Sequence, residues 1–149
     1  MNIYTRLKKD HDKQRELCEN IKSTYSGSQN RADLWEELKI ELEAHAAAEE
    51  QVFYSALMQK PDGTKEARHS VHEHQEMTKI IKELDAMDQS TDIWEKKFEK
   101  LAHEVMHHVD EEEADIFPVA RKVIDSERAK EMVEDFNTRK PAEAEKQSA

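Results

Sequence analysis

Apolar residues recur every three or four positions along most of this chain, and the pattern stops at only a few places. The runs Tyr4, Leu7, His11, Gln14, Cys18, Ile21, Tyr25 and Trp35, Leu38, Leu42, His45, Glu49, Phe53, Ala56 each trace one face of a helix. Breakers separate the periodic stretches: "STYSGSQN" at 23–30, "KPDGT" at 60–64, "DQSTD" at 88–92, and Pro141. Four long segments lie between them, roughly 2–24, 31–60, 64–88 and 92–122, each long enough for about six helical turns or more. A shorter fifth, "ERAKEMVEDFNTRK", carries the stripe Ala129, Met132, Val133, Phe136 behind a cap at Asp125 or Ser126. Short connections between long helices make neighbours antiparallel. The expected fold is therefore all-α, an up-down-up-down four-helix bundle with a short C-terminal fifth helix. Residues 1–140 form one domain in this reading, and the polar "PAEAEKQSA" at 141–149 is expected to be a disordered tail.

Composition agrees and narrows the function. Two glycines, three prolines and 38% charged residues favour helices over sheet. A mean hydropathy of -1.01 and the lack of any long apolar run exclude a membrane span. The polar N-terminus "MNIYTRLKKDHDK" has no signal-peptide core, and the single cysteine, Cys18, fits a reducing compartment, so the expected location is cytoplasmic. The net charge of -11, without a lysine- or arginine-rich cluster, argues against a nucleic-acid partner.

Polar residues interrupt the apolar stripes, and they do so twice in the same way. Displacing the sequence by 63 residues lays Ile21 on Leu84, Trp35 on Phe98, Leu38 on Leu101, Leu42 on Val105 and Phe53 on Ile116. The same displacement lays His11 on His74, His45 on His108, Glu49 on Glu112 and Glu50 on Glu113. A helical hairpin has been duplicated together with its inward polar residues. The helical advance of about 100° per residue selects among the histidines. His74 lines up with Met77, Ile81 and Leu84, and His108 lies between Val105 and Ile116, whereas His69, His72, His103 and His107 point away. Cys18 is read as packing.

Two buried carboxylates with no lysine or arginine on their stripes need a positive partner. A pair of metal ions supplies one and also accounts for four imidazoles. The i, i+4 spacing makes His45 with Glu49, and His108 with Glu112, two claws. With each glutamate bridging and each ion taking two histidines, every ion has four protein ligands, a bridging oxo or hydroxo makes five, and one position stays open. Imidazole and carboxylate without thiolate favours two iron ions over manganese or zinc.

The ordered set His11, His45-x-x-x-Glu49, His74, His108-x-x-x-Glu112, with "EEADIFP" following, resembles the hemerythrin-like HHE cation-binding domains over roughly residues 2–122. The resemblance implies a non-haem di-iron centre that takes dioxygen, nitric oxide or peroxide-level species. Oxygen-carrying members have a fifth histidine paired on the third helix and end on an aspartate five residues after its histidine. Ser70 and Thr78 flank His74 here, and the last pair is His108 and Glu112, so the chain resembles the four-histidine bacterial type. Two functions follow as expectations: a module that binds or senses a small ligand, or an enzyme with catalase- or peroxidase-like or nitric-oxide-processing activity. In the second, Tyr54, five residues after Glu49, donates a proton or ligates. Iron storage, which relies on Glu-x-x-His pairs, is weakened because Glu66–His69 and Glu104–His107 put their histidines outside.

Overall fold

The computed structural model describes residues 1–148, and no strand occurs among them. Helix α1 spans Ile3–Lys22, α2 Gln29–Glu49, α3 Ser55–Met58, α4 Thr64–Asp85, α5 Asp92–Glu111, α6 Phe117–Val123 and α7 Ser126–Ser148. A π-turn at Glu50–Tyr54 fuses α2 to α3, and another at Glu112–Ile116 fuses α5 to α6, so the chain forms five rods. Four of them build the bundle, and α7 lies along α2 and α1.

Helix starts are written into the sequence. Asn2 accepts from the amide of Thr5, while Thr5 returns a bond to the Asn2 backbone, a reciprocal capping box. Ser28 caps α2 through the Arg31 amide at 3.1 Å, and Thr91 caps α5 through the Trp94 amide at 3.1 Å. These two caps obey the same 63-residue displacement as the histidines. Asp125, not Ser126, caps α7, accepting from the Arg128 amide at 2.8 Å. Gly27 turns the α1–α2 connection with φ +69°, and a Cβ there would also press on Ser90.

Two apolar cores sit at opposite ends of the bundle. One gathers Tyr4, Leu7, Phe53, Leu57, Phe117 and Phe136; the other gathers Cys18, Ile21, Trp35, Leu84, Trp94 and Phe98. The inward histidines and glutamates form a polar layer between these plugs, which shield it from water at both ends. Cys18 belongs to the second core, and burial pushes its thiol up to about 12.

Two expectations change at the chain's edges. Tyr25 leaves the first stripe: α1 ends at Lys22, the helical register is lost, and the ring is 86% exposed. The fifth helix is not short, because α7 continues through Pro141 to Ser148 where a disordered tail was expected, with Ala149 outside the described residues. A proline inside a helix removes one backbone bond and costs about 3 kcal/mol. Side chains on both sides of Pro141 offset this: Lys140 reaches Glu41 at 2.7 Å and Asp10 at 2.9 Å, and the buried Glu143 accepts from Gln51 at 3.1 Å and pairs with Arg139.

Candidate metal centre

Each rod of the bundle delivers its part of the polar layer by helical spacing alone. His11 comes from α1, His45 and Glu49 from α2, His74 from α4, His108 from α5, and Glu112 from the first residue of the second π-turn. All six are buried, His11, Glu49 and Glu112 completely. Their ligating atoms fall into two groups, His11, His45, Glu49, Glu112 and Glu49, His74, His108, Glu112, with the atoms of each group within 4.8 Å of one another. The two carboxylates belong to both groups. His11 Nε2 lies 3.0 Å from Glu112, His74 Nε2 3.2 Å from Glu49, and His74 Nε2 3.1 Å from His108 Nε2.

Four of the polar atoms turned inward lack partners. His11 Nε2, both oxygens of Glu49 and Oε1 of Glu112 are buried without an aligned hydrogen bond, despite the short distance from His11 to Glu112. Among the described residues no lysine or arginine pairs with Glu49 or Glu112. Each such orphan costs about 1–3 kcal/mol. A cation between them removes that cost, and the donor set of two imidazoles and shared carboxylates fits one in each group.

The outward ring nitrogens are all engaged. Nδ1 of His11 meets Glu113 at 2.7 Å, Nδ1 of His45 meets Asp10 at 2.7 Å, Nδ1 of His74 meets Glu50 at 2.9 Å, and Nδ1 of His108 meets Glu73 at 2.8 Å. A carboxylate on Nδ1 fixes the tautomer and turns Nε2 toward the interior of the layer. Sequence reasoning did not assign these four carboxylates a role, although the signal was present. Asp10 and Glu73 correspond under the 63-residue displacement, as do Glu50 and Glu113. In each "EE" doublet the first glutamate faces the centre and the second steadies a histidine on another helix.

Charge follows from this packing. Burial disfavours protonated His45, but the charge of Glu49 and the bond to Asp10 outweigh it and raise the imidazole to about 10. Burial likewise opposes protonation of His108, and Glu112 and Glu73 overcome it, again to about 10. His11 and His74 are raised for the same reasons. Desolvation pushes Glu112 up, but hydrogen bonds from His108 and His11 prevail and hold it well below the usual carboxylate range. The centre thus takes positive charge readily, from protons or from metal.

Tyr54 is buried beside this layer, and a π-turn puts it there. The amide of Ser55 bonds back to Glu50, five residues earlier, and this wider turn brings Tyr54 inward as well as Phe53. The phenol donates to Glu112 and shares a 2.9 Å bond with Ser70, the residue one turn before His74. Its repeat counterpart, Phe117, stacks near His11 with ring centroids 6.1 Å apart. Burial and the charges of Glu112 and Glu49 drive the phenol's pKa well above 10, so it holds its proton.

His45, His74 and His108 also line a cavity of about 20 Å³, closed mainly by Leu42, Met77 and Ile81. That is room for about one water-sized molecule. It shares Glu43, Ala46, Thr78 and His74 with an open groove between α2 and α4. The remaining histidines face outward: the His69, His72 and His107 side chains are about half exposed or more, and His103 is exposed too.

The chain is similar to known proteins in the way this layer suggests. The family model for the hemerythrin HHE cation binding domain matches residues 2–120. The crystal structure of a hemerythrin HHE cation binding domain-containing protein, the Rv2633c homolog from Mycobacterium kansasii, superposes with a TM-score of 0.88 at 27% identity, covering 98% of this chain and 89% of that one. A protein described as a DNA nickase from Nostoc sp. (strain PCC 7120 / SAG 25.82 / UTEX 2576) is 26% identical over 140 residues, which is 94% of this chain but 39% of the length of that relative. No helix among the described residues is long and apolar enough to cross a membrane. With a family match over nearly its whole length and buried histidine–glutamate groups able to hold a metal, the chain belongs to the hemerythrin HHE cation-binding family.

Proposed function

We propose that the chain is a non-haem di-iron protein that binds or senses a small ligand, dioxygen, nitric oxide or peroxide, at a carboxylate-bridged centre. The observation that carries this reading is the pair of four-residue groups sharing Glu49 and Glu112. In it His11 and His45 would hold one ion and His74 and His108 the other, with Glu49 and Glu112 in reach of both. Iron bound there would supply redox-active Lewis-acid chemistry. The protein's own part is to aim Nε2 of each imidazole through Asp10, Glu50, Glu73 and Glu113, and to keep bulk water out with two apolar cores. The cavity of about 20 Å³ supports a ligand of diatomic or peroxide size. The formal charge of -11 and the lack of a basic cluster speak against nucleic acid as the partner of this domain.

Anaerobic reconstitution with ferrous iron, followed by metal counting and ligand titration, tests the reading. Two irons per chain and one small ligand per iron pair are expected; one iron or none overturns it. The enzyme alternative is favoured by one observation, the Tyr54 hydroxyl donating to Glu112. There the phenol would keep its proton beside the Glu112 carboxylate and act as a proton donor facing the centre. Comparing peroxide turnover in the iron-loaded protein and in Tyr54→Phe separates the two: a large loss supports the enzyme, and equal slow rates leave ligand binding.

A further inference from the structure

Besides the two groups of the buried layer, two more clusters bring histidine and carboxylate together, and they differ in one respect. In the first, Asp10, Glu41 and His45 converge, but the Lys140 ammonium already lies 2.9 Å from Asp10 and 2.7 Å from Glu41, where a cation would sit. In the second, His69, Glu73 and Glu111 meet on the surface where α4 faces α5, and His107 stands at its edge, pairing with Glu111. His69 Nε2 is 2.5 Å from Glu111 Oε1 and 3.5 Å from Glu73 Oε2; His107 Nε2 is 3.0 Å from Glu111 Oε2 and 4.0 Å from Glu73 Oε2. Among the described residues no lysine or arginine pairs with either glutamate.

We propose that His69, Glu73, His107 and Glu111 form a second, solvent-facing site for one divalent transition cation, joined to the buried layer through Glu73. The residues are spaced as two i, i+4 claws, His69 with Glu73 on α4 and His107 with Glu111 on α5, so each helix offers an imidazole and a carboxylate on one face. Donors on a tetrahedral zinc ion at about 2.0–2.2 Å stand about 3.3 Å apart, and the separations above bracket that spacing. Two imidazoles with two carboxylates suit zinc or ferrous iron better than calcium or magnesium, which prefer all-oxygen shells. The Glu-x-x-His pairs of the sequence, Glu66–His69 and Glu104–His107, thereby give way to pairings with the glutamates that follow. Glu73 is the hinge of the arrangement: Oε1 accepts from His108 Nδ1 at 2.8 Å while Oε2 faces His69 and His107. That bond holds one outer ligand in place before any ion arrives.

The proposal goes beyond the buried di-iron reading and does not need it. Zinc is added to the chain after iron loading, and iron and zinc are counted separately. One further zinc per chain is expected with the iron count unchanged, and zinc-edge X-ray absorption should show two imidazole ligands. The double variant His69→Ala/His107→Ala should lose that zinc or bind it at least about tenfold more weakly. The control His72→Ala/His103→Ala, which removes two other exposed histidines, should retain it. Equal zinc binding in the two double variants, or no zinc beyond what displaces iron, overturns the outer site. A chain that takes up no iron pair refutes the buried-centre reading instead, and the difference of one zinc between the two variants still decides the outer site.

Discussion

The two halves of the polar layer began as copies and no longer have the same surroundings. The half with His11 and His45 lies under α7. Asp10, which holds His45, is buried and pinned by Arg6 at 2.6 Å and Lys140 at 2.9 Å, and Phe136 packs its ring 5.8 Å from His45. The half with His74 and His108 borders an open groove instead, to which α7 contributes only Gln147 among the described residues. Glu73, the counterpart of Asp10, faces exposed His69 and His107, while Tyr54 replaces the phenyl ring of Phe117 and bonds to Glu112. Duplication preserved the residues that meet the centre, and later packing made one half a sealed anchor and the other a more open face.

That contrast is broken most completely by removing what the halves share. Replacing Glu112 or Glu49 by Ala should abolish binding of both ions, because each carboxylate belongs to both groups; a variant that still holds one tightly bound iron would show that the halves are independent. Phe136→Ala uncovers only the sealed half. The ring is fully buried and lies under the Arg6 guanidinium at 4.8 Å, so its loss should cost about 3–5 kcal/mol by chemical denaturation.

The carboxylates behind the histidines compare the halves directly. Asp10→Ala and Glu73→Ala should each weaken metal binding about 10- to 100-fold, measured by competition with a chelator. Asp10→Ala should also lower thermal stability more, since it takes a partner from both Arg6 and Lys140. A larger stability loss from Glu73→Ala would reverse the assignment of sealed and open halves.

Protonation is favoured at all four imidazoles, and most strongly at one of each half. His45 and His108, raised from 6.5 to about 10, stabilise the metal-stripped fold while protonated. That contribution is complete below pH 6.5 and is lost as pH rises toward 10. Melting temperature of the stripped protein should therefore fall across this window. Metal needs neutral imidazoles, so the loaded protein should instead lose metal as pH falls. The smallest expected effect is that of Tyr54→Phe, which makes the halves alike at this position. Loss of the phenol's bonds should cost about 1–2 kcal/mol with the metal count unchanged; loss of an ion would make Tyr54 a ligand.

Much of this was legible one residue at a time. Helical periodicity placed His108 inside and His107 outside before any neighbour was known, because direction around a helix is local. The repeat recovered the six inward residues and, in hindsight, held Asp10, Glu50, Glu73 and Glu113 as well. Their partners stayed hidden because each steadies a histidine on a different helix: Asp10 is adjacent to His11 in sequence yet holds His45. Pro141 misled for a related reason. Local propensity ends the helix there, and contacts to Asp10, Glu41 and Gln51 carry it on.

By itself, then, the sequence determined the all-α bundle, the duplicated hairpin and the set of imidazoles and carboxylates that point inward, since all three depend on spacing along single helices. Only the tertiary structure decided which carboxylate steadies which histidine, that a π-turn carries Tyr54 to Glu112, that α7 seals one half, and that His69 and His107 both reach Glu111. Those facts depend on distances between helices, set by how whole faces pack, and no periodicity within one helix contains them.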